Sequence, residues 1–175
     1  GLMLIGGDSA DFEIDGITAT GDIVPAELTA TAATADSRDY DGTDDATISD
    51  CTLDTVVEGD TVTCSGTGTF DTKDSGTGKT VTVDSLSLGG TDAGNYTLSS
   101  TYPTGVTADI TAIDITVDAI DADGKDYDGN TDATISDCAP NGVLGDDEVT
   151  CSGDGSFDTA AVGTGKTVTA TTLTL

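Results

Sequence analysis

Histidine and tryptophan are absent from these 175 residues, and Lys and Arg together number only five. Without histidine the commonest general base and metal-binding imidazole is missing, which argues against triad chemistry and against zinc. Against 33 Asp and Glu, so few cations leave a net charge of −28. Such a field repels phosphate backbones and anionic lipid headgroups, so neither nucleic acid nor a membrane surface is an expected partner. Aromatic residues make up 4% of the chain, too few for a sugar-stacking platform. No apolar run is long enough to span a bilayer, so membrane insertion is not expected. The opening Gly1-Leu2-Met3-Leu4 starts in mid-pattern and reads as a processed or cropped segment rather than a secretory leader.

What the chain does contain, it contains twice. Tyr40-Asp41-Gly42 returns 87 positions later as Tyr127-Asp128-Gly129, and the stretch Tyr40–Leu88 aligns with Tyr127–Leu175 without a gap. Cys51 and Cys64 return as Cys138 and Cys151, and Gly76-Thr77-Gly78-Lys79-Thr80 as Gly163-Thr164-Gly165-Lys166-Thr167. A period this long signals tandem domains rather than solenoid coils. Residues 24–110 form one complete repeat. Residues 111–175 form a second, which stops at the position of Leu88 and lacks its last strands. Residues 1–23 align with the tail of a repeat: Leu2, Leu4, Phe12 and Ile14 match Leu86, Leu88, Tyr96 and Leu98, and Ile23 matches Ile110.

Within each repeat the apolar residues alternate with polar ones, and no stretch shows a helical period. Leu28, Ala30 and Ala32 read as a first strand, Ala46–Cys51 as another. Val62, Cys64, Gly66, Gly68 and Phe70 share one face of a third, with Thr and Ser on the other. A turn is expected at Gly76–Gly78. The phase slips near Asp84-Ser85, which predicts a β-bulge or bend. β-Branched Thr, Val and Ile fill the runs, and Gly and Asp separate them. The expected fold class is all-β, a small immunoglobulin-like two-sheet sandwich per repeat, with no helices.

The ordered motifs Tyr40–Gly42, Gly76–Val83 and Leu86–Leu98, and again Tyr127–Gly129 and Gly163–Thr169, resemble the YDG-type repeats of large bacterial surface proteins. That resemblance implies tandem β-domains in the stalks or fibres of secreted, adhesin-like proteins, and it brings no catalytic residues with it.

The candidate chemistry is sparse. The identical spacing of 13 in Cys51/Cys64 and Cys138/Cys151, beside adjacent predicted strands, points to one disulfide per repeat and an oxidising, extracellular or cell-surface setting. Gly-Thr-Gly-Lys-Thr fails as a phosphate loop, because Lys73 and Ala160 stand where its first glycine belongs. Lys79 and Lys166 read as surface lysines, with an isopeptide crosslink as the rival. Asp121, Asp123, Asp126, Asp128 and Asp132 crowd one turn and admit a calcium site, although Lys125 interrupts the loop pattern; a solvated acidic face is the plainer reading. Asn95-Tyr96-Thr97 fits the glycosylation tripeptide. The rings Tyr40, Tyr127, Phe70, Phe157, Tyr96 and Phe12 are expected in the core.

With no nucleophile or base singled out, an enzyme is not expected. The sequence points to a structural repeat of an extracellular fibre or adhesin stalk, with copies of the chain as partners. Residues 1–23 of one copy would complete the unfinished repeat of the next, through Leu2, Leu4, Phe12, Ile14 and Ile23 against the edge carrying Leu173 and Leu175. A crop of one long repeat chain would look the same. The alternative is a calcium-dependent adhesive module for carbohydrate or protein.

Overall fold

The computed structural model describes residue 16 and residues 18–175. The fold is all-β, and the helical content of the described residues is one short 3-10 turn, Ala93–Asn95. The first repeat carries β1 (Ala26–Leu28), β2 (Ala30–Ala35), β3 (Arg38–Asp39), β4 (Asp45–Leu53), β5 (Thr63–Phe70), β6 (Gly76–Gly89), β7 (Tyr96–Leu98) and β8 (Val106–Thr111). β1 and β7 pair in parallel, and the other six form one sheet in the order β2-β4-β5-β6-β8-β3.

The two edges of that sheet, β2 and β3, are separated in sequence only by Asp36 and Ser37. The sheet must therefore fold over on itself. Two hydrogen bonds pin the crossing: Asp36 N–H donates to Thr47 O at 2.9 Å, and Asp109 N–H donates to Ser37 Oγ at 2.9 Å. Inside the fold lie Ile48, Phe70, Val81, Val83, Val106 and Ile110, all buried. This arrangement is compatible with the expected small sandwich. β5 follows the predicted alternation, with Cys64, Gly68 and Phe70 buried and Thr63, Ser65 and Thr67 exposed.

Both disulfides form. Cys51 on β4 and Cys64 on β5 have Cα atoms 5.3 Å apart, and Cys138 and Cys151 have theirs at 5.7 Å. In the first repeat the bridge packs with Ala30 under Leu53, Leu86, Leu88 and Leu98, a second small core at the far end from Phe70. A thin aliphatic core is thus extended by a covalent one.

The bulge falls where the phase slip placed it. Thr67 pairs with Ser85 and Gly68 with Val83, so Asp84 is the extra residue. Its equivalent, Thr171, is skipped in the second repeat. Close strand approach here explains Gly66 and Gly153, since a Cβ would stand 1.9 Å from Ser85 O or 2.0 Å from Thr172 O. Two expectations need correction. Ala32 does not continue the buried face, because a register shift after Ala30 turns it outward and brings Ala33 toward the core. Gly76–Gly78 is not a hairpin turn but the irregular start of β6, and the chain reverses at residues 71–75.

The second repeat has four strands: β9 (Thr116–Ala122), β10 (Asp132–Asn141), β11 (Ser152–Phe157) and β12 (Val168–Thr174), ordered β12-β11-β10-β9. They correspond to β2, β4, β5 and β6. Nothing in the second repeat corresponds to β7 or β8, and the burial records it. Ile135, like Ile48, is fully buried. Val168 and Phe157, unlike Val81 and Phe70, are only half-buried, and Ile115 is half-buried where Leu28 is sealed.

Candidate assembly interface

The Tyr-Asp-Gly motif is a turn that aims a tyrosine. Gly42 takes φ +84, a left-handed conformation that suits glycine. Asp41 Oδ1 accepts from Thr43 N–H at 2.9 Å and from Thr43 Oγ1 at 2.8 Å, closing an Asx-turn. Arg38 ion-pairs with Asp41, donates to Thr43 O at 2.6 Å and lies over the Phe70 ring. The two Thr43 hydrogen bonds, with Arg38 behind them, hold the Asp41 carboxyl below its usual range. The second copy repeats the design with Gly129 at φ +82 and Lys125 in place of Arg38.

The aimed tyrosine reaches the next repeat. Tyr40 OH donates to Asp147 Oδ2 at 2.6 Å, and Lys73 Nζ donates to both Tyr40 OH and Asp147 Oδ1 at 2.8 Å. Lys73 and then Tyr40 lower the Asp147 pKa, and the same contacts raise that of Lys73. A recess of about 600 Å³ beside this joint is lined by Ile113, Ile115, Val143 and Leu144. Tyr40 is thus half core ring and half joint. Its equivalent Tyr127, expected in the core, is 70% exposed and borders a cleft beside Gly163 and Val168. The joint was not legible in the sequence: Asp147 is one of many aspartates, and Lys73 has no repeat equivalent to draw the eye.

The second feature is an open slot. In the first repeat β8 lies between β6 and β3, antiparallel to one and parallel to the other. In the second, the same place is a cleft of about 630 Å³, walled by residues 124–128 on one side and 163–168 on the other, with Ile120, Phe157 and Val168 at its base. Val162 on its rim is 87% exposed. Leu173 on β12 and Leu175 just beyond it are 40% and 74% exposed. Ile23 is fully exposed, in a segment without strand pairing. Leu2, Leu4, Phe12 and Ile14 lie outside the described residues.

The other candidates resolve into local structure. Asp128, held below its usual pKa first by Lys125 and then by Asn130 N–H, is occupied within its own turn. No group of three or more acidic, Cys or His side chains among the described residues is arranged to hold a metal. That includes Asp121, Asp123, Asp126 and Asp132. Lys79 and Lys166 are not free surface lysines: they pair with Asp71 at 3.1 Å and Asp158 at 3.0 Å. Those aspartates are half exposed and, chiefly through the lysine hydrogen bond, below their usual pKa. An ionised carboxylate is a poor electrophile for an amide bond, so each pair reads as an ion pair. Asn95 is exposed on the 3-10 turn, with Thr97 also exposed.

Fold and joint together define a tandem β-repeat protein, in which one domain's signature turn clasps the next. The chain belongs to the YDG domain family, whose pattern matches residues 24–104 and 111–175. Neither a curated protein nor a solved structure was found to match it. Among the described residues no helix is long and apolar enough to cross a membrane. The two disulfides suit an oxidising environment.

Proposed function

We propose that the chain is a structural repeat segment of an extracellular fibre or adhesin stalk, built by stacking YDG domains head to tail. The observation that carries this reading is the joint between the two repeats. Tyr40 OH donates to Asp147 at 2.6 Å and Lys73 Nζ donates to the same carboxylate at 2.8 Å, so two family repeats meet end to end through the signature turn of the first. A repeat presenting an open edge and a half-covered core buries both when another repeat follows. The contact is heterologous and does not close on itself, so it propagates as a filament. Residues 1–23 of a neighbouring chain, or a further repeat of one longer thread, would supply the missing strands.

Sedimentation and negative-stain imaging of the purified chain across a concentration series test the reading. Head-to-tail stacking gives linear species that lengthen with concentration, resolved on a denaturing gel into units near 17.3 kDa. A single monomeric species at every concentration argues for a spacer continued only through its own covalent chain.

A further inference from the structure

Of the three asparagines in the chain, Asn141 alone is followed by glycine. We propose that Asn141-Gly142 is a self-modifying site. The Gly142 backbone nitrogen closes on the Asn141 side chain to form a succinimide, which water opens to aspartate or isoaspartate.

The step needs no partner but water. The Gly142 nitrogen gives up its proton and bonds to Asn141 Cγ, the Cγ–Nδ2 bond breaks, and the side-chain nitrogen leaves with that proton as ammonia. Hydrolysis at one ring carbonyl leaves an ordinary aspartyl link. At the other it leaves an isoaspartyl link, with one extra carbon in the main chain. A following residue with a side chain crowds the attacking nitrogen, and glycine does not.

The fold leaves this pair open. Asn141 is the last residue of β10, paired with Thr116, and it is exposed. Gly142 has left the strand and takes φ +98, and even an added Cβ there would meet nothing nearer than 3.7 Å, so the ring has room to form. The reacting amide is held by an exposed hydrogen bond, from Nδ2 to Asp118 Oδ2 at 3.0 Å. The other asparagines are guarded. Asn130 Oδ1 accepts from Asp132 N–H at 2.9 Å, its Nδ2 donates to Asp128 Oδ2 at 3.0 Å, and β-branched Thr131 follows it. Asn95 is followed by Tyr96, which is buried and anchored through its OH to Asp60.

The first repeat shows what the product can do. Asp54 and Thr55 stand at the equivalent places, with Thr55 at φ +50. Asp54 Oδ1 accepts from Thr29 N–H at 2.6 Å, and Thr116 is the equivalent of Thr29. An aspartate after β10 therefore meets a donor position the repeat already uses. Isoaspartate instead lengthens the main chain between β10 and the loop carrying Val143, Leu144 and Asp147, which is one side of the joint. Ageing at this strand end thus acts on how the two repeats meet.

The test is to incubate the folded chain, disulfides intact, at mildly alkaline pH and compare it with an unincubated sample by peptide mapping. Lys125 and Lys166 bound one tryptic peptide that holds both Asn130 and Asn141, so the control travels with the site. Asn141 is expected to convert to aspartate and isoaspartate while Asn130 persists. Electron-transfer fragmentation and methylation by an isoaspartyl methyltransferase identify the isoaspartate. G142T, which restores the first repeat's residue, is expected to slow conversion by about tenfold or more as the side chain raises the barrier. Thr55 already holds a positive φ at this place, so the substitution is compatible with the fold. Asn141 persisting in the folded chain while converting in the reduced, unfolded chain would overturn the proposal. So would equal conversion at Asn130, or G142T converting as fast as the parent.

Discussion

Asp147 is the side chain through which one repeat feels the other, and its pH behaviour follows from its partners. Lys73 and Tyr40 hold its carboxyl below the ordinary 3.8, so the joint's electrostatic contribution is present above that value and is lost as pH falls through the lowered one. Lys73 is raised above 10.5, so its share is present below that value and is lost only at more alkaline pH. The joint is accordingly expected to hold from about pH 4 to about pH 10. D147N should loosen the two repeats at neutral pH as acid does in the parent chain. Small-angle scattering of the monomeric chain would show this as a broader distance distribution, and an unchanged profile would remove Asp147 from the joint. Because these groups are solvent-accessible, the effect is on orientation more than on the stability of either domain.

The strand pair β5–β6 shows how little tolerance each domain has. Gly66 and Gly153 sit against the backbone of the neighbouring strand, and a carbonyl oxygen cannot retreat from an added methyl as a flexible side chain can. G66A is expected to destabilise the first repeat by about 1–3 kcal/mol, and G153A the second by a similar amount. Two thermal transitions, each lowered by only one of the variants, would be the signature. The disulfide between β4 and β5 is the opposing influence. Cutting the Cys51–Cys64 loop is expected to cost about 3 kcal/mol by chain-entropy reasoning, a fall in the melting temperature on the order of 10–20 °C for so small a domain. Reduction under calorimetry would measure it, and an unmoved first transition would mean that the apolar strip Leu53, Leu86, Leu88 and Leu98 suffices alone.

Net charge governs how copies meet. A chain at −28 repels its own kind, and the repulsion is long-range at low ionic strength. Raising salt from about 10 mM to about 150 mM shortens the screening length from ~30 Å to ~8 Å, so filament formation is expected to increase steeply over that range. Calcium at matched ionic strength should shift the melting temperature no further than sodium chloride does, since Asp128 is engaged by Lys125 rather than left for a cation. A sharp rise with calcium, reversed by chelator, would instead favour an adhesive module organised around Asp121, Asp123, Asp126, Asp128 and Asp132.

The repeat length, the all-β class, both cysteine pairs and the bulge near Asp84 were legible in the residues because each is local or written twice. Alternation reports which face is buried, identical spacing reports a paired cysteine, and a phase slip reports an extra residue. The family signature was equally visible as a string, but what its tyrosine does was not. That Tyr40 leaves its own domain for Asp147 depends on how two domains meet. Tyr127 has Tyr40's neighbours in sequence yet stands largely in solvent. Burial is a property of what packs against a side chain. The chain's own order names the strands, and only the folded arrangement says what each side chain packs against.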